Sequence, residues 1–480
     1  MITVSVTALA HLYDLQCPRH LVWLTDGQPR PRIRWEETPA GEVLARLGQE
    51  HEKHVVQRLV PPGQLATPEY PPGDFDRGAA ATCALIEAES PWIEQAVLLG
   101  PMSPELGVRG MADLLRRCDD GRYQVIEIKS SRRLKTSQVL QAAVYTELLQ
   151  RITPVADPLM IDGHYGSHEP PRLASEAILG ELVTDLIPRW LRAGDDVFHR
   201  TMRCGRCPFD PVCAADARQR RHVSLVPGLT PAVATRLKAA GVGDLPGLVA
   251  MDTANLHALA VDGHLLQRLQ GQARSIVEER ILPTGEVQAP PGTVVQLFLD
   301  AAPDPTAAVP CRLGLLKRDR SKGLSAYRGV AIPSDHGDAA KKVRAFLELA
   351  AHQATKAVRD GLSWGFLYFG PSTVEALADL VAWMGWGDEL LEQILVHAMD
   401  VQALIRRRWY LPVERYDLAR VLAASGLDPM SDESPPFIHH VAWRAFGDEA
   451  AAQSLLAQGE ETLRSVMALW DWLEADARSK

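Results

Sequence analysis

Alternating hydrophobic and polar residues mark a predicted β-hairpin from Gly107 to Lys129. Its two strand-like segments are joined by an Asp-Asp-Gly turn around Asp120, a sequence typical of tight turns. Side chains along a strand alternate between two faces, so Glu127 and Lys129 share one face. In a hairpin centred on Asp120, Asp113 lies opposite Glu127. The pattern therefore predicts that two carboxylates and a lysine converge on one patch.

Apolar residues spaced three and four apart predict a helix from Gly41 to Val60, ahead of the hairpin. The predicted buried stripe comprises Leu44, Leu47, His51, Val55 and Leu59, and the residues predicted to face away are Glu52, Lys53 and Gln57. A single histidine on such a stripe is usually a core residue. This stripe has to pack on the sheet that carries Asp113 and Glu127, so we expect His51 to be a third candidate ligand.

A second helix is predicted from Ser137 to Gln150, after the hairpin. Ser137 favours a helix start, and Gln141 and Tyr145 lie one turn apart on one face, which is by default ordinary helix surface. Between the hairpin and this helix lies a basic patch formed by Arg132, Arg133 and Lys135. The patch is either a solvated surface or a local contact for nucleic acid.

The predicted carboxylate pair has a specific chemical meaning. Two close carboxylates repel each other, and a hard divalent cation relieves the repulsion by taking oxygens from both. Lys129 can then hold or deprotonate a water, so the group is typical of a metal-dependent hydrolytic centre. The alternative is a strand face that carries ordinary surface charges.

Together these residues resemble the PD-(D/E)xK nuclease superfamily in its RecB-like branch. The matching residues are His51-Glu52, then Asp113, then Glu127-Ile128-Lys129, and finally Gln141-Ala-Ala-Val-Tyr145. The resemblance implies an α/β restriction-endonuclease-like fold and a Mg²⁺ or Mn²⁺ site. Its implied ligands are His51, Asp113, Glu127 and the main-chain carbonyl of Ile128, with Lys129 acting on the water. It also implies that Gln141 and Tyr145 contact DNA, single-stranded or with single-stranded ends.

Composition sets the outer limits of these interpretations. The chain has 480 residues, of which 46% are hydrophobic and 23% charged, enough for two or three domains. Its first residues lack a basic signal region and no apolar run approaches the ~18 residues of a membrane span, so we expect a cytoplasmic protein. The net charge of -9 means that any nucleic-acid binding has to come from local basic patches.

Four of the seven cysteines form a predicted metal site. Cys204, Cys207 and Cys213 lie within ten residues in a turn-rich stretch, and Cys17 in a Cys-Pro-Arg context is the candidate fourth ligand. Four thiolates suit zinc or an iron-sulfur cluster equally well by ligand chemistry. The arrangement resembles the iron-sulfur members of the RecB-like nucleases, which implies a 4Fe-4S cluster. The remaining three, Cys83, Cys118 and Cys311, are interpreted as small core or surface residues.

Beyond His222 the pattern changes to two short predicted helices joined through Gly241-Val242-Gly243. This segment resembles a helix-hairpin-helix, whose glycine turn can present backbone N–H groups to a DNA phosphate. A small helical linker is the alternative, because Arg236 and Lys238 are the nearby cations. A proline- and glycine-rich linker follows from Pro283 to Gly292.

Strand patterns at Val294–Asp300, Arg312–Lys317, Ala326–Ile332 and Trp364–Phe369 predict a mixed sheet in the remainder. This part resembles a ribonuclease H-like, DEDD-type exonuclease domain, which needs four carboxylates to hold two metals. Asp300 and Asp400 are present, whereas Thr373 and Thr462 fall where carboxylates are expected. We therefore expect a catalytically inactive domain, with Glu460 or Glu461 as the only possible substitutes.

The sequence thus predicts four segments: an α/β nuclease domain over 1–222, a helix-hairpin-helix-like segment over 223–282, a linker over 283–292 and a ribonuclease H-like domain over 293–480. The predicted function is metal-dependent DNA cleavage in repair, recombination or defence. A helicase or other repair protein is a possible partner, because no phosphate-binding loop is evident in the chain. The alternative is a non-cleaving DNA-binding scaffold with a structural metal cluster.

Overall fold

The computed structural model describes residues 2–25, 38–131, 134–163, 166–169, 172–193, 198–252, 261–285, 292–304, 309–333, 336–386, 389–431 and 434–478. The chain forms two compact units, Met1–Ala214 and Ala215–Lys480. Both units combine sheets with many helices, so the structure is mixed α/β. The division into four segments remains a prediction.

Within the described residues, the first unit is built on a seven-stranded mixed sheet. Its strands are β1 (Ile2–Ser5), β2 (Leu65–Ala66), β3 (Trp92–Pro101), β4 (Leu106–Arg117), β5 (Tyr123–Ile128), β6 (Leu159–Ile161) and β7 (Ser167–His168). The strand order is β2-β3-β4-β5-β6-β7, with β1 paired parallel to the first part of β4. Strand β4 is therefore central, and β3 and β5 both run antiparallel to it.

The predicted hairpin is confirmed as β4 and β5. Leu114 pairs with Ile126 and Arg117 pairs with Tyr123, so the register is centred on Asp120 as expected. The backbone turns at Gly121, which has φ +81°, a conformation that glycine adopts without steric cost. Because the register is fixed by this turn, Asp113 and Glu127 come next to each other where the ladder ends.

Helices cover both faces of this sheet. They are α1 (Val6–Leu15), α2 (Pro18–Thr25), α3 (Pro39–Leu59), α4 (Phe75–Glu87), α5 (Thr136–Gln150), α6 (Arg172–Glu181), α7 (Ile187–Ala193) and α8 (Asp210–Gln219), with a π-helical turn at Leu182–Leu186 and a 3₁₀ turn at Met202–Arg206. Helices α1 and α5 share one core with β3 and β4, whereas Val55 and Val56 of α3 pack with Leu114 and Ile126 on a separate cluster. The side chains of Ser5 and Thr38 cap α1 and α3.

The second unit opens with helices α9 (Pro231–Ala239), α10 (Leu245–Ala250) and α11 (Gly263–Glu278). Thr230 and Asp244 cap the first two, and the chain reverses between them at Gly241, which has φ +81°. The two predicted short helices are thus confirmed, and their role in DNA binding stays a prediction. Pro283, expected in a linker, pairs with Trp409 in a short ladder of β8 (Leu282–Pro283) and β14 (Trp409–Tyr410).

The main sheet of the second unit has the order β11-β10-β9-β12-β13 among the described residues. Its strands are β9 (Val295–Ala302), β10 (Arg312–Asp319), β11 (Leu324–Ala331), β12 (Trp364–Tyr368) and β13 (Ala398–Asp400), so all four predicted strands are confirmed. Strands β9 to β11 are antiparallel, and β12 is parallel to both β9 and β13. The mixed sheet expected from the sequence is therefore present.

Two helical layers enclose that sheet. The helices are α12 (His336–Arg359), α13 (Pro371–Met384), α14 (Glu389–Leu395), α15 (Val401–Arg408), α16 (Leu418–Ala424), α17 (Pro436–Phe446) and α18 (Glu449–Arg478). Helices α12 to α14 contribute to one core and α15, α16 and α18 to the other. Across the described part of the chain, no helix is both long and apolar enough to cross a bilayer.

Candidate active site

The acidic pair and the lysine predicted from the hairpin lie together at the end of the β4–β5 ladder. Lys129 Nζ is 2.6 Å from Glu127 Oε2 and 3.6 Å from Asp113 Oδ2. The main-chain N–H of Ile128 donates to Asp113 Oδ2 at 2.7 Å. The Asp113 carboxylate thus accepts the hydrogen bond that a backbone carbonyl of β4 would accept if the β4–β5 ladder continued. This bond holds Asp113 on the edge of β5, beside the nearly inaccessible side chain of Glu127.

The charges in this cluster are unbalanced. Two carboxylates face one ammonium, and burial followed by the Asp113 charge raises the pKa of Glu127 to about 8. Burial lowers the pKa of Lys129, but the two carboxylates outweigh it and raise that pKa overall. Oε1 of Glu127 is buried and has no hydrogen-bond partner in the part of the chain that the structure describes. A divalent cation would relieve the repulsion that raises this pKa and would bind the unmatched carboxylate oxygen.

Glu52 faces this cluster, which corrects the expectation that it points away. Its Oε1 accepts a hydrogen bond from Gln95 Nε2 at 2.5 Å, and burial followed by the charge of Asp113 raises its pKa. The reason is the packing line of α3, which runs through Glu52, Val55, Val56 and Leu59 at a spacing of three and four. Leu44, expected on the buried stripe, is 42% exposed.

Gln95 occupies an unusual backbone conformation at the point of β3 opposite Asp113. The β3–β4 register pairs Glu94 with Leu114 and Ala96 with Ala112, which leaves Gln95 across from Asp113. Its φ is +53°, in the left-handed region that costs non-glycine residues about 1 kcal/mol or more. With this backbone conformation, the side-chain amide of Gln95 donates to Glu52, so the strained residue orients a carboxylate of the candidate active site.

His51 is half-buried on α3, and burial lowers its pKa. A backbone hydrogen bond and the charge of Asp162, which follows β6, act in the opposite direction. The Asp162 carboxylate in turn accepts from Gly166 N–H at 2.9 Å and lies 2.7 Å from His168 Nε2. The structure thus places His51 beside Asp162, and its role as a metal ligand stays a prediction.

Tyr145 lies in the core behind the carboxylates, and Gln141 is half-buried one turn earlier on α5. The Met111 N–H donates to the Tyr145 hydroxyl, and burial, then Glu127 and Asp113, raise the pKa of this group. A Cβ on Gly110 would lie 2.7 Å from the hydroxyl oxygen, so glycine is required for this close approach. Tyr145 therefore packs α5 against β4 at Gly110. Arg132 and Arg133 lie outside the described residues.

The four cysteines predicted to form a metal site meet between α1, α2 and α8. Cys207 and Cys213 are buried with Phe209 and Leu15, and Cys17 packs against them. Burial raises the pKa of Cys207 to about 12 and that of Cys213 to about 11, with the neighbouring cysteine thiols adding to the effect. No three of the four sulfurs lie within 4.8 Å of one another, although the structure describes all four.

Each of these sulfurs has a hydrogen-bond donor. Main-chain N–H groups of Arg19 and His20 donate toward Cys17, and the Thr201 N–H donates to Cys204 Sγ at 3.3 Å. His20 Nδ1 lies 3.3 Å from Cys207 Sγ, and Arg19 Nη1 lies 4.0 Å from Cys213 Sγ. Arg19 is 1% exposed and stacks over Trp23 and Phe198. Donors of this kind favour the thiolate that metals bind, and they act against the burial that raises these pKa values.

In the second unit, the guanidinium of Arg312 lies between Asp300 of β9 and helix α18. Arg312 Nε donates to Asp300 Oδ2 at 3.0 Å, Nη1 to Gln458 Oε1 at 2.9 Å and Nη2 to Thr462 Oγ1 at 3.3 Å. Arg312 is 2% exposed, so this is a buried ion pair. Asp400 caps α15 by accepting from Ala403 N–H at 3.2 Å.

Glu460 and Glu461, the possible substitutes for the missing carboxylates, are engaged on the surface of α18. Glu460 pairs with Arg464 at 2.6 Å, and Glu461 accepts from the hydroxyl and N–H of Ser431. Neither group is among the partners of Arg312 described above.

Comparison with known proteins agrees with the geometry of the first unit. The family model of the PD-(D/E)XK nuclease superfamily matches residues 29–214, so this part of the chain is a domain of that superfamily and points to nuclease activity. The match contains the carboxylates, Lys129 and three of the four cysteines, and it begins after Cys17.

The other comparisons add no functional assignment. No curated protein matches the chain. A solved structure titled "Crystal structure of SSO0001" is 21% identical, and the match covers 44% of this chain and 86% of that chain. Its TM-score of 0.24 is too low to carry any argument.

Proposed function

We propose that the first unit is a metal-dependent deoxyribonuclease of the RecB-like type, acting on single-stranded DNA or on DNA with single-stranded ends in repair, recombination or defence. The observation that carries the proposal is the buried contact of Glu127, Asp113 and Lys129 within a PD-(D/E)XK superfamily domain. Asp113, Glu127, the Ile128 carbonyl and His51 would hold Mg²⁺ or Mn²⁺. Gln141, Arg132 and Arg133 are the proposed DNA contacts, whereas Tyr145 is buried and would act by supporting β4 instead of touching DNA.

In this site the bound cation would stabilise charge on the phosphate and lower the pKa of a water. Lys129 is held between the two carboxylates, so its ammonium can donate a hydrogen bond to a water and orient it toward the phosphorus. Glu52 supplies a third carboxylate on the same side, oriented by Gln95. Its raised pKa makes it a candidate acceptor for the proton that the water loses.

The test is cleavage of labelled single- and double-stranded DNA with Mn²⁺ by the wild type and the Glu127→Gln variant. Glutamine keeps the volume of the buried side chain but removes the anionic ligand, so we expect cleavage to fall at least about a hundredfold. Glu105→Gln, at an exposed position in the same unit, is the control and should cleave normally. Equal cleavage by Glu127→Gln and Glu105→Gln would contradict the assignment.

For the four cysteines we propose a 4Fe-4S cluster in preference to zinc. Four thiolates suit either group, and the preference rests on the resemblance of Cys17, Cys204, Cys207 and Cys213 to the cysteines of the iron-sulfur RecB-like nucleases. Iron and sulfide content of protein purified without oxygen decides this, and stoichiometric zinc in a colourless protein would contradict it.

For the second unit we propose a ribonuclease H-like fold without catalytic metals, acting as a platform for DNA or a partner protein. The support is Arg312, whose charge neutralises Asp300 where an active DEDD enzyme would bind cations. Two of its other partners, Gln458 and Thr462, are uncharged.

A further inference from the structure

Three buried side chains of the second unit meet at one corner of its sheet. Asp304 follows β9, Cys311 precedes β10, and His440 lies on α17. Their side chains are at most 5% exposed, and all three lie outside the Asp300–Arg312 contact. They come from separate segments of the chain, so their convergence is a product of the fold.

The three groups present one ligand atom each to a common point. The Cys311 sulfur, an imidazole nitrogen of His440 and a carboxylate oxygen of Asp304 all lie within 4.8 Å of one another. His440 Nδ1 is 2.7 Å from Asp304 Oδ2, while its Nε2 is 2.7 Å from the Ile332 carbonyl oxygen. A backbone carbonyl on the far nitrogen is the usual way in which a metal-binding histidine is oriented.

The backbone around these side chains is also held in place. Cys311 N–H donates to the Ala302 carbonyl at 2.7 Å, and Ile332 N–H donates to the Cys311 carbonyl at 3.0 Å. The same residue, Ile332, thus positions both the cysteine and the histidine. Such a rigid support is what a preformed metal site requires.

Charge balance distinguishes two states of this corner. Without a metal, both His440 nitrogens contact oxygens, so one proton lies between Nδ1 and the Asp304 carboxylate and another on Nε2, while the Cys311 thiol donates to the Pro303 carbonyl. With a divalent cation, a thiolate, a carboxylate and a neutral imidazole give zero net charge. Binding therefore releases two protons, one from the His440–Asp304 contact and one from Cys311.

We propose that Asp304, Cys311 and His440 form a zinc site in the second unit, with a water in the fourth position. One sulfur, one nitrogen and one oxygen ligand suit zinc, since magnesium and calcium prefer oxygen alone. The ion would fasten α17 to the corner between β9 and β10. The alternative is that this corner binds no metal, and that Asp304 and His440 form an internal ion pair.

The first experiment measures zinc per chain in the full-length protein, in wild type, Cys311→Ser and Cys83→Ser. Serine keeps the size of the side chain, and Cys83 is a half-buried cysteine of the first unit outside both proposed sites. We expect Cys311→Ser to contain one equivalent of zinc less than wild type, whereas Cys83→Ser loses none. Because only the difference is used, the result does not depend on which metal the four other cysteines bind.

A second measurement covers the case in which Cys311→Ser is poorly folded. Wild-type protein stripped of loosely bound metal is titrated with Co²⁺. We expect a tetrahedral spectrum with a thiolate-to-cobalt band and the release of two protons as this Co²⁺ binds. One equivalent of Zn²⁺ should then displace the Co²⁺ and remove the band. Asp304→Asn, which cannot supply the anionic ligand, should lower the Zn²⁺ affinity at least about tenfold. Unchanged zinc content in folded Cys311→Ser, together with unchanged affinity in Asp304→Asn, would overturn the site and leave the ion pair.

Discussion

At Gln95, a single residue links a strained backbone to the candidate active site. Its side chain reaches Glu52 because its φ is positive, and nothing in the local sequence marks this conformation in advance. The position of Glu52, by contrast, could have been found. Glu52, Val55, Val56 and Leu59 recur at three- and four-residue spacing, although the stripe through Leu44 contains more apolar residues.

The first prediction follows from this contact. Gln95→Ala removes the hydrogen bond that orients Glu52, the proposed proton acceptor, so we expect the cleavage rate at saturating Mn²⁺ to fall about tenfold while the fold is kept. Gln64→Ala, at an exposed position before β2, is the control. The rate is measured over a Mn²⁺ titration, and the Mn²⁺ concentration for half-maximal cleavage should stay unchanged. An unchanged rate at saturating Mn²⁺ would show that Gln95 does not position the proton acceptor.

A second prediction at this scale concerns Arg312. Replacing it with methionine leaves the Asp300 carboxylate half-buried and unpaired, so we expect a loss of about 3–5 kcal/mol in unfolding free energy. Arg464→Met breaks an exposed pair with Glu460 and should cost about 0–1 kcal/mol. Denaturant unfolding of both variants gives the comparison, and similar losses in the two would mean that Arg312 is not the internal counter-ion of Asp300.

At the scale of elements, local patterns were sufficient for the two hairpin strands, their register and four strands of the second sheet. Turn chemistry at Gly121 and period-two alternation determine which residues of β4 and β5 face each other. The packing direction of α3 was less predictable, because it depends on where the helix crosses the sheet. The packing of Tyr145 was likewise not predictable from local pattern, which placed it on the helix surface. It is buried because Gly110, which has no side chain, allows α5 to approach β4 closely.

The proposed cysteine site joins the turn between α1 and α2 to the 3₁₀ turn before α8 and to α8 itself, and this gives a third prediction. Cys17→Ala or Cys207→Ala should lose the metal and lower Tm by several degrees, because metal binding is coupled to folding of both segments. Cleavage should fall only as far as folded protein is lost. Metal content, Tm and cleavage are measured on one preparation, with Cys118→Ala as control.

A variant without metal that melts like wild type yet does not cleave DNA would contradict this prediction. The cysteine site would then act in DNA engagement or chemistry, and its role would not be that of a structural tie.

At the scale of the whole molecule, the fourth prediction is that cleavage belongs to the first unit alone. Asp300→Asn keeps a hydrogen-bond acceptor for Arg312, so we expect normal cleavage of single- and double-stranded DNA. Glu127→Gln should abolish both activities. Residual Mn²⁺-dependent cleavage in Glu127→Gln that disappears in the double variant would instead locate a second nuclease centre in the other unit.

The arrangement of the chain into units was predictable to a limited degree. The β4–β5 hairpin and four strands of the second sheet follow from strand patterns, and the first compact unit ends at Ala214, close to the last cysteine of the predicted site. The buried groups of the second unit were not predictable in the same way. Asp304 and Cys311 are seven residues apart, but His440 lies more than a hundred residues further along the chain, so only the fold brings the three together.

The separation of Cys17 from its three partners also has a consequence for biosynthesis. Cys17 leaves the ribosome roughly two hundred residues before Cys213, which takes about 10–40 s at ~5–20 residues per second. The hairpin with Asp113 and Glu127 is complete well within that interval, so the nuclease sheet can form on the nascent chain before the four thiols can be joined. If the four cysteines hold the proposed metal, the Cys17 thiol is without it during this time and is open to oxidation, so the yield of metal-loaded protein should depend on oxygen during synthesis more than on oxygen afterwards.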